Sequence, residues 1–111
     1  MQHPSRMPTD GVIVIARLYP VKGKEDRVEE MLKTISEHSN SAKEPHCPTY
    51  RVVRSLDAPW QFAVFEHYLN KQGITDHGNA EPFNALIKAI GDEKLLDESR
   101  GGIVIEHFEQ V

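Results

Sequence analysis

Val12-Ile13-Val14-Ile15 sets four β-branched residues in succession, followed by Ala16, Arg17, Leu18 and Tyr19. Side chains of this kind are stiff at χ1 and suit a pleated strand. Successive residues of a strand point to opposite faces, so Val12 and Val14 lie on one side and Ile13 and Ile15 on the other. Both faces are therefore apolar. Ile103-Val104-Ile105 poses the same problem near the other end of the chain. Strands greasy on both sides need cover above and below.

The remaining pattern says how much cover one chain can supply. After the first strand (11–19), Pro20 to Gly23 form a turn. An amphipathic helix follows from Lys24 to about Lys43, with Val28, Met31, Leu32, Ile35 and Ala42 near 3.6-residue spacing. Its charges read as a solvated face. Glu44-Pro45-His46-Cys47-Pro48 stops it, because proline cannot continue a helix. Thr49 to Leu56 alternates polar and apolar as a half-exposed strand does. Asp57-Ala58-Pro59 makes a hairpin turn into the strand Trp60–Leu69. Asn70 suits a helix N-cap for a short segment to His77, and a second helical segment carries Pro82, Phe83, Leu86, Ile87 and Ile90. Gly101-Gly102 opens the last strand, 103–108.

The order is β-α-β-β-α-β, the ferredoxin-like split βαβ pattern of an α+β domain. Right-handed crossovers give a four-stranded antiparallel sheet with the first and third strands central. The second strand, bearing Arg51 and Arg54, suits an edge. Helices from one chain cover one face, and a second copy of the same sheet is the simplest cover for the other. The expectation is a homodimer.

The chain of 111 residues is one domain (11–111) preceded by a disordered tail, residues 1–10. A net charge of −4 without a basic run argues against nucleic acid as a partner. No apolar run is long enough for a membrane span, and residues 1–10 lack the apolar core of a signal peptide. The single cysteine, Cys47, excludes an internal disulfide and fits a reducing, cytoplasmic address. It reads as a half-buried loop thiol.

Glu66 lies in the aromatic strand Phe62-Ala63-Val64-Phe65-Glu66-His67-Tyr68 and is the candidate general base. Desolvation there would raise its pKa toward neutrality, where a base works best. The competing role is structural: capping the 70–77 helix or pairing with an arginine of the neighbouring strand. His77 is the second catalytic candidate, able to take or hold a hydroxyl proton. Its bland alternative is a helix-terminal histidine that complements the dipole. His67 adjoins Glu66 and so faces the opposite side, toward the dimer interior near His107. Tyr50, Phe65, Tyr68 and Phe83 are candidate substrate-binding rings, against a background in which aromatic residues mostly pack cores. Metal-ligand spacing is absent from the histidines.

Arg17, Pro20-x-x-Gly23-Lys24, Glu44-Pro45-x-Cys47-x-x-Tyr50, Phe65-Glu66-x-Tyr68, His77 and Phe83, in that order, resemble the antibiotic biosynthesis monooxygenase family over about residues 11–110. The resemblance implies a dimeric α+β barrel, two ferredoxin-like protomers with their sheets face to face. It also implies an oxygenase of quinol-like or polyphenolic aromatic molecules that uses dioxygen as co-substrate, without flavin, haem or metal. The family's haem-degrading branch carries an asparagine where Ala16 stands, a tryptophan at Tyr68 and a haem-ligating histidine at about Ile87. With none of these present, haem degradation is not implied. Two alternatives stand beside this reading. One is an isomerase of a small phosphorylated sugar, which would need Arg17, Arg51 or Lys22 to converge on one pocket. The other is a non-catalytic dimeric stress-response or small-molecule-binding module.

Overall fold

The computed structural model describes residues 3–58 and 60–111. Pro59 of the expected hairpin turn and residues 1 and 2 of the tail lie outside them. The elements are β1 (Val12–Leu18), α1 (Glu25–Ser39), β2 (Thr49–Arg54), β3 (Phe62–Tyr68), α2 (Lys71–Asn79), α3 (Glu81–Asp92), a 3-10 turn (Glu98–Arg100) and β4 (Ile103–Phe108). The sheet order is β2-β3-β1-β4, antiparallel throughout. The two most apolar strands are central and the arginine-bearing β2 is an edge, as the pattern predicts. The second helical region is two helices, because Ala80 turns extended and Pro82 sits in the first turn of α3.

Register assigns each residue to a face. On the helix-covered side lie Val12, Val14, Ala16 and Leu18 of β1 and Phe62, Val64, Glu66 and Tyr68 of β3, all buried. They pack against Val28, Leu32 and Ile35 of α1, Ile74 of α2 and Leu86 and Ala89 of α3. The other side carries Ile13, Ile15, Arg17, Val53, Phe65, His67, Val104 and Phe108. Among the described residues no helix or strand lies over it, and Val53, Phe65, Val104 and Phe108 are exposed. His107 pairs with Val14 and so sits on the helix side, the opposite face from His67. The expectation that His107 lies near His67 on the face turned to the dimer interior is thereby corrected.

Helix α1 ends at Ser39, four residues before the sequence pattern suggests. The cause is Asn40. Its side-chain amide donates to the Tyr50 carbonyl at 2.9 Å and its oxygen accepts from the Tyr50 amide at 3.2 Å. The Asn40 backbone N–H still closes the last helical turn on the Ser36 carbonyl at 3.0 Å, while its side chain turns to the sheet. Here it completes the edge of β2 and releases residues 41–48 to fold back beneath the helix end. The face of α1 is also more than solvated charge, since Arg54 of β2 reaches Glu29 at 3.2 Å and Arg27 reaches Glu93 at 3.1 Å.

At the start of α2, Asn70 accepts from the Gly73 amide at 3.0 Å, the expected cap. Asn70→Ala should cost about 1 kcal/mol, read as a lowered urea midpoint at unchanged slope. Gly73 lets the helix approach the loop, since a Cβ there would meet the His46 carbonyl at 2.8 Å. Of the tail, Arg6 pairs with Glu109 and Met7 packs against the core, so residues 3–10 are tied to the domain at these points. Among the described residues no helix is long and apolar enough to cross a membrane.

Candidate functional site

Four elements bring polar side chains together beneath the sheet. Glu66 comes from the middle of β3, His77 from the last turn of α2, Ser39 from the end of α1, and Glu44 from the returning loop. All four are buried, Glu66 at 4% and His77 at 1% exposure. Polar groups so deeply buried must be hydrogen-bonded or become very costly, and these are.

Ser39 Oγ donates to Glu44 Oε2 at 2.8 Å, and His38 Nδ1 lies 2.6 Å from the same oxygen. His77 Nδ1 lies 3.0 Å from Glu44 Oε1 and 3.1 Å from Ser39 Oγ. A carboxylate only accepts, and the serine proton is already committed to Glu44. His77 Nδ1 must therefore carry a proton and donate it. That leaves Nε2 as the variable nitrogen, and it points toward Glu66 Oε1 at 3.9 Å. This distance exceeds a hydrogen bond. Glu66 Oε1 instead accepts from the Tyr68 hydroxyl at 2.5 Å.

The imidazole is walled by rings: Phe83 at 5.0 Å, Tyr50 at 5.2 Å and Tyr68 at 5.6 Å between centroids. A cavity of about 20 Å³ lies beside it, lined among others by Glu66, His77, Tyr50, Phe83 and Leu86. That is room for one water-sized group.

The two glutamates are tuned apart. Burial lifts the Glu66 carboxyl to about 7, against the opposing pull of the His77 charge and the Tyr68 hydrogen bond. Burial acts on Glu44 too, but hydrogen bonds from His77, His38 and Ser39 outweigh it and hold its carboxyl below the ordinary value. One carboxylate rests as an anion, and the other exchanges its proton near neutrality. A pair separated in this way is suited to acid–base work. Burial pushes both tyrosine hydroxyls up, with the Glu66 charge adding to it, so they act as neutral donors. Cys47 is likewise lifted, to about 12, by burial and the two glutamates, which leaves it an unreactive thiol.

Of the six site residues expected from sequence, Glu66, His77, Tyr50, Tyr68 and Phe83 come together. Phe65 does not. Adjacent to Glu66 on a strand, it faces the opposite side and is 41% exposed on the bare sheet face. Its expected role against a substrate in this pocket is corrected. The structural roles weighed for Glu66, capping α2 or pairing with an arginine, are not the ones it takes. The sequence reading missed Glu44, Ser39 and His38. One signal was available: Ser39 falls four residues after Ile35, a hydroxyl on the apolar stripe of α1. Among the described residues, no group of three or more His, Cys, Asp or Glu side chains is disposed to hold a metal ion.

Comparison with known proteins agrees with this architecture. A Shewanella oneidensis protein of known structure superposes with a TM-score of 0.79 at 14% identity, covering 95% of each chain, a likeness of fold alone. A Pseudomonas aeruginosa protein gives 0.77 at 21% identity over 96% of this chain and 99% of its own. A Caulobacter crescentus protein, provisionally described as an antibiotic biosynthesis monooxygenase, gives 0.76 at 27% identity, covering 93% of this chain and 92% of its own. No curated protein matches the sequence. The family description of the antibiotic biosynthesis monooxygenases matches residues 11–89, a span that contains Glu44, Glu66 and His77. With that match over most of its length, the chain belongs to the antibiotic biosynthesis monooxygenase family.

Proposed function

We propose that the protein is a monooxygenase of small quinol-like or polyphenolic aromatic molecules, working on dioxygen without flavin, haem or metal. The observation that carries this is the gap between His77 Nε2 and Glu66 Oε1, 3.9 Å wide and bordered by the small cavity. A phenolic hydroxyl placed there meets a carboxylate titrating near neutrality and an imidazole held in one orientation. Glu66 takes the phenolic proton and leaves an electron-rich phenolate, which itself reduces dioxygen. Tyr68 steadies Glu66 through its hydrogen bond, and Tyr50 and Phe83 flank the ring. A cavity of this volume admits the hydroxyl but not the ring, so binding requires Phe83 and Leu86 on α3 to draw back from the sheet. The test is oxygen uptake over a panel of hydroquinones with a chelator present. No consumption above background across the panel would remove the proposal.

A second reading, a small-molecule-binding module without a reaction, is favoured by the same small cavity, which leaves the interior almost solid. Ligand binding to the panel in calorimetry, with no oxygen consumed, would decide for it. The sugar-phosphate isomerase has less support. Arg17 lies on the bare face paired with Glu106 at 2.5 Å, and Arg51 is exposed there too, on the far side of the sheet from Glu66. Lys22 lies in a separate depression with Trp60, Asp97 and Arg100.

The working form in this proposal is a homodimer joined through the bare face. Phe65, Val53, Val104 and Phe108 give that face an apolar centre, such as marks an interface. Phe65→Asp should shift the chain to monomer in sedimentation equilibrium. An unchanged mass would remove this face as the interface.

A further inference from the structure

Glu44 holds two imidazoles, one on each oxygen. His77 Nδ1 bonds Oε1 at 3.0 Å from inside, and His38 Nδ1 bonds Oε2 at 2.6 Å from outside. The exposure falls steeply along this line: the His38 side chain is 21% exposed, Glu44 2% and His77 1%. His38 also lines a surface depression of about 280 Å³ with Thr34, Glu37, Ser41, Lys43 and Pro82. The charged neighbours there are Glu37 and Lys43. An imidazole accepts a proton on one nitrogen and releases one from the other, and a carboxylate can do the same between its oxygens. Three such groups in hydrogen-bonded series, one end wet and the other sealed, make a path.

We infer that His38 is the port through which the sealed Glu66–His77 cluster exchanges protons with solvent, Glu44 carrying them between the two imidazole rings. Its use in turnover rests on the proposed role of Glu66 as base; the path itself rests on the geometry. After Glu66 takes a proton from substrate, it must be discharged before the next cycle. The proton passes to His77 Nε2, and His77 releases its Nδ1 proton to Glu44 Oε1, which becomes a neutral carboxyl. That carboxyl turns to present the proton to His38, in the tautomer that carries its own proton on Nε2 and leaves Nδ1 bare; His38 takes it on Nδ1 and gives the Nε2 proton to water. One proton has then left the cavity and one has reached solvent, Glu66 and Glu44 are ionised again, and His77 holds its proton on Nε2. Giving that proton to the reduced dioxygen, and taking one back on Nδ1 by the same path in reverse, restores His77. On its other sides the imidazole is walled by Tyr50, Tyr68 and Phe83.

The test needs no substrate. In ¹⁵N-histidine-labelled protein, solvent exchange of the His77 Nδ1 proton is measured by saturation transfer from water. His38→Gln keeps a donor to Glu44 and a similar volume but cannot relay a proton. Exchange should slow on the order of tenfold or more. In His38→Ala it should be slow again and recover with added imidazole. Native-like exchange in either variant would overturn the inference, as would imidazole leaving the alanine variant slow. Because the readout is independent of oxygen consumption, a protein inactive on every quinol could still carry the port, and an active one could lack it.

Discussion

Glu66→Gln should abolish oxygen uptake on any quinol that the native protein oxidises, by on the order of 10²- to 10⁴-fold in kcat. The amide keeps an oxygen for the Tyr68 hydroxyl and fills the same volume, so the loss reports proton chemistry rather than collapse. In the native protein the rate should rise with pH through about 7, where the Glu66 carboxyl ionises. A variant retaining more than a tenth of native kcat would exclude Glu66 as the base.

The same substitution should change stability with the opposite sense. The Glu66 carboxyl titrates near 4.5 in the unfolded chain and about 7 in the fold, so the native state favours its protonated form. The stability this contributes is whole below pH 4.5 and is lost as pH rises toward 7. The loss is on the order of 3 kcal/mol from a shift of this size. Glu66→Gln should flatten that decline, and at pH 8 the inactive variant should outlast the native protein in urea. Equal pH dependence for the two would mean that Glu66 is not the group responsible.

Glu44 should behave in reverse. Its carboxyl is held below the ordinary value, so it stabilises the fold above the unfolded pKa and loses that contribution as pH falls through the folded one. Glu44→Leu leaves the buried His77 Nδ1–H and the Ser39 hydroxyl without their acceptor. Breaking such a buried set by removing one partner costs about 3–5 kcal/mol. The urea midpoint should fall accordingly at pH 7, and a drop too small to resolve would show that the cluster repacks.

These contrasts also show what can be read from a linear chain. Sheet order, the edge position of β2 and the two-sided apolarity of β1 follow from alternation, which is local. The desolvation of Glu66 follows as well, because the residues two places away on either side, Val64 and Tyr68, share its face. Phe65 was misplaced by neglecting that same alternation. Glu44 escaped for a different reason. Its position depends on the Asn40 side chain, at the cap of the helix, bonding the backbone of Tyr50, a tertiary bond between residues that no periodicity links. The early end of α1 and the hidden half of the cluster are one event.

Strand β3 holds helix-side and bare-face residues in strict alternation, which limits how such a chain can change length. Deleting one residue between Phe62 and Glu66 would slide that segment by one place against β1 and β2. Phenylalanine and imidazole would then turn inward and the carboxylate outward, exchanging the protein's interior for its surface in a single step. Gains and losses of residues are better tolerated outside the strand, as in the connection at 55–61 that precedes it. Length that varies in the connections, set against a β3 of constant length, is the pattern to which relatives sharing this arrangement should conform.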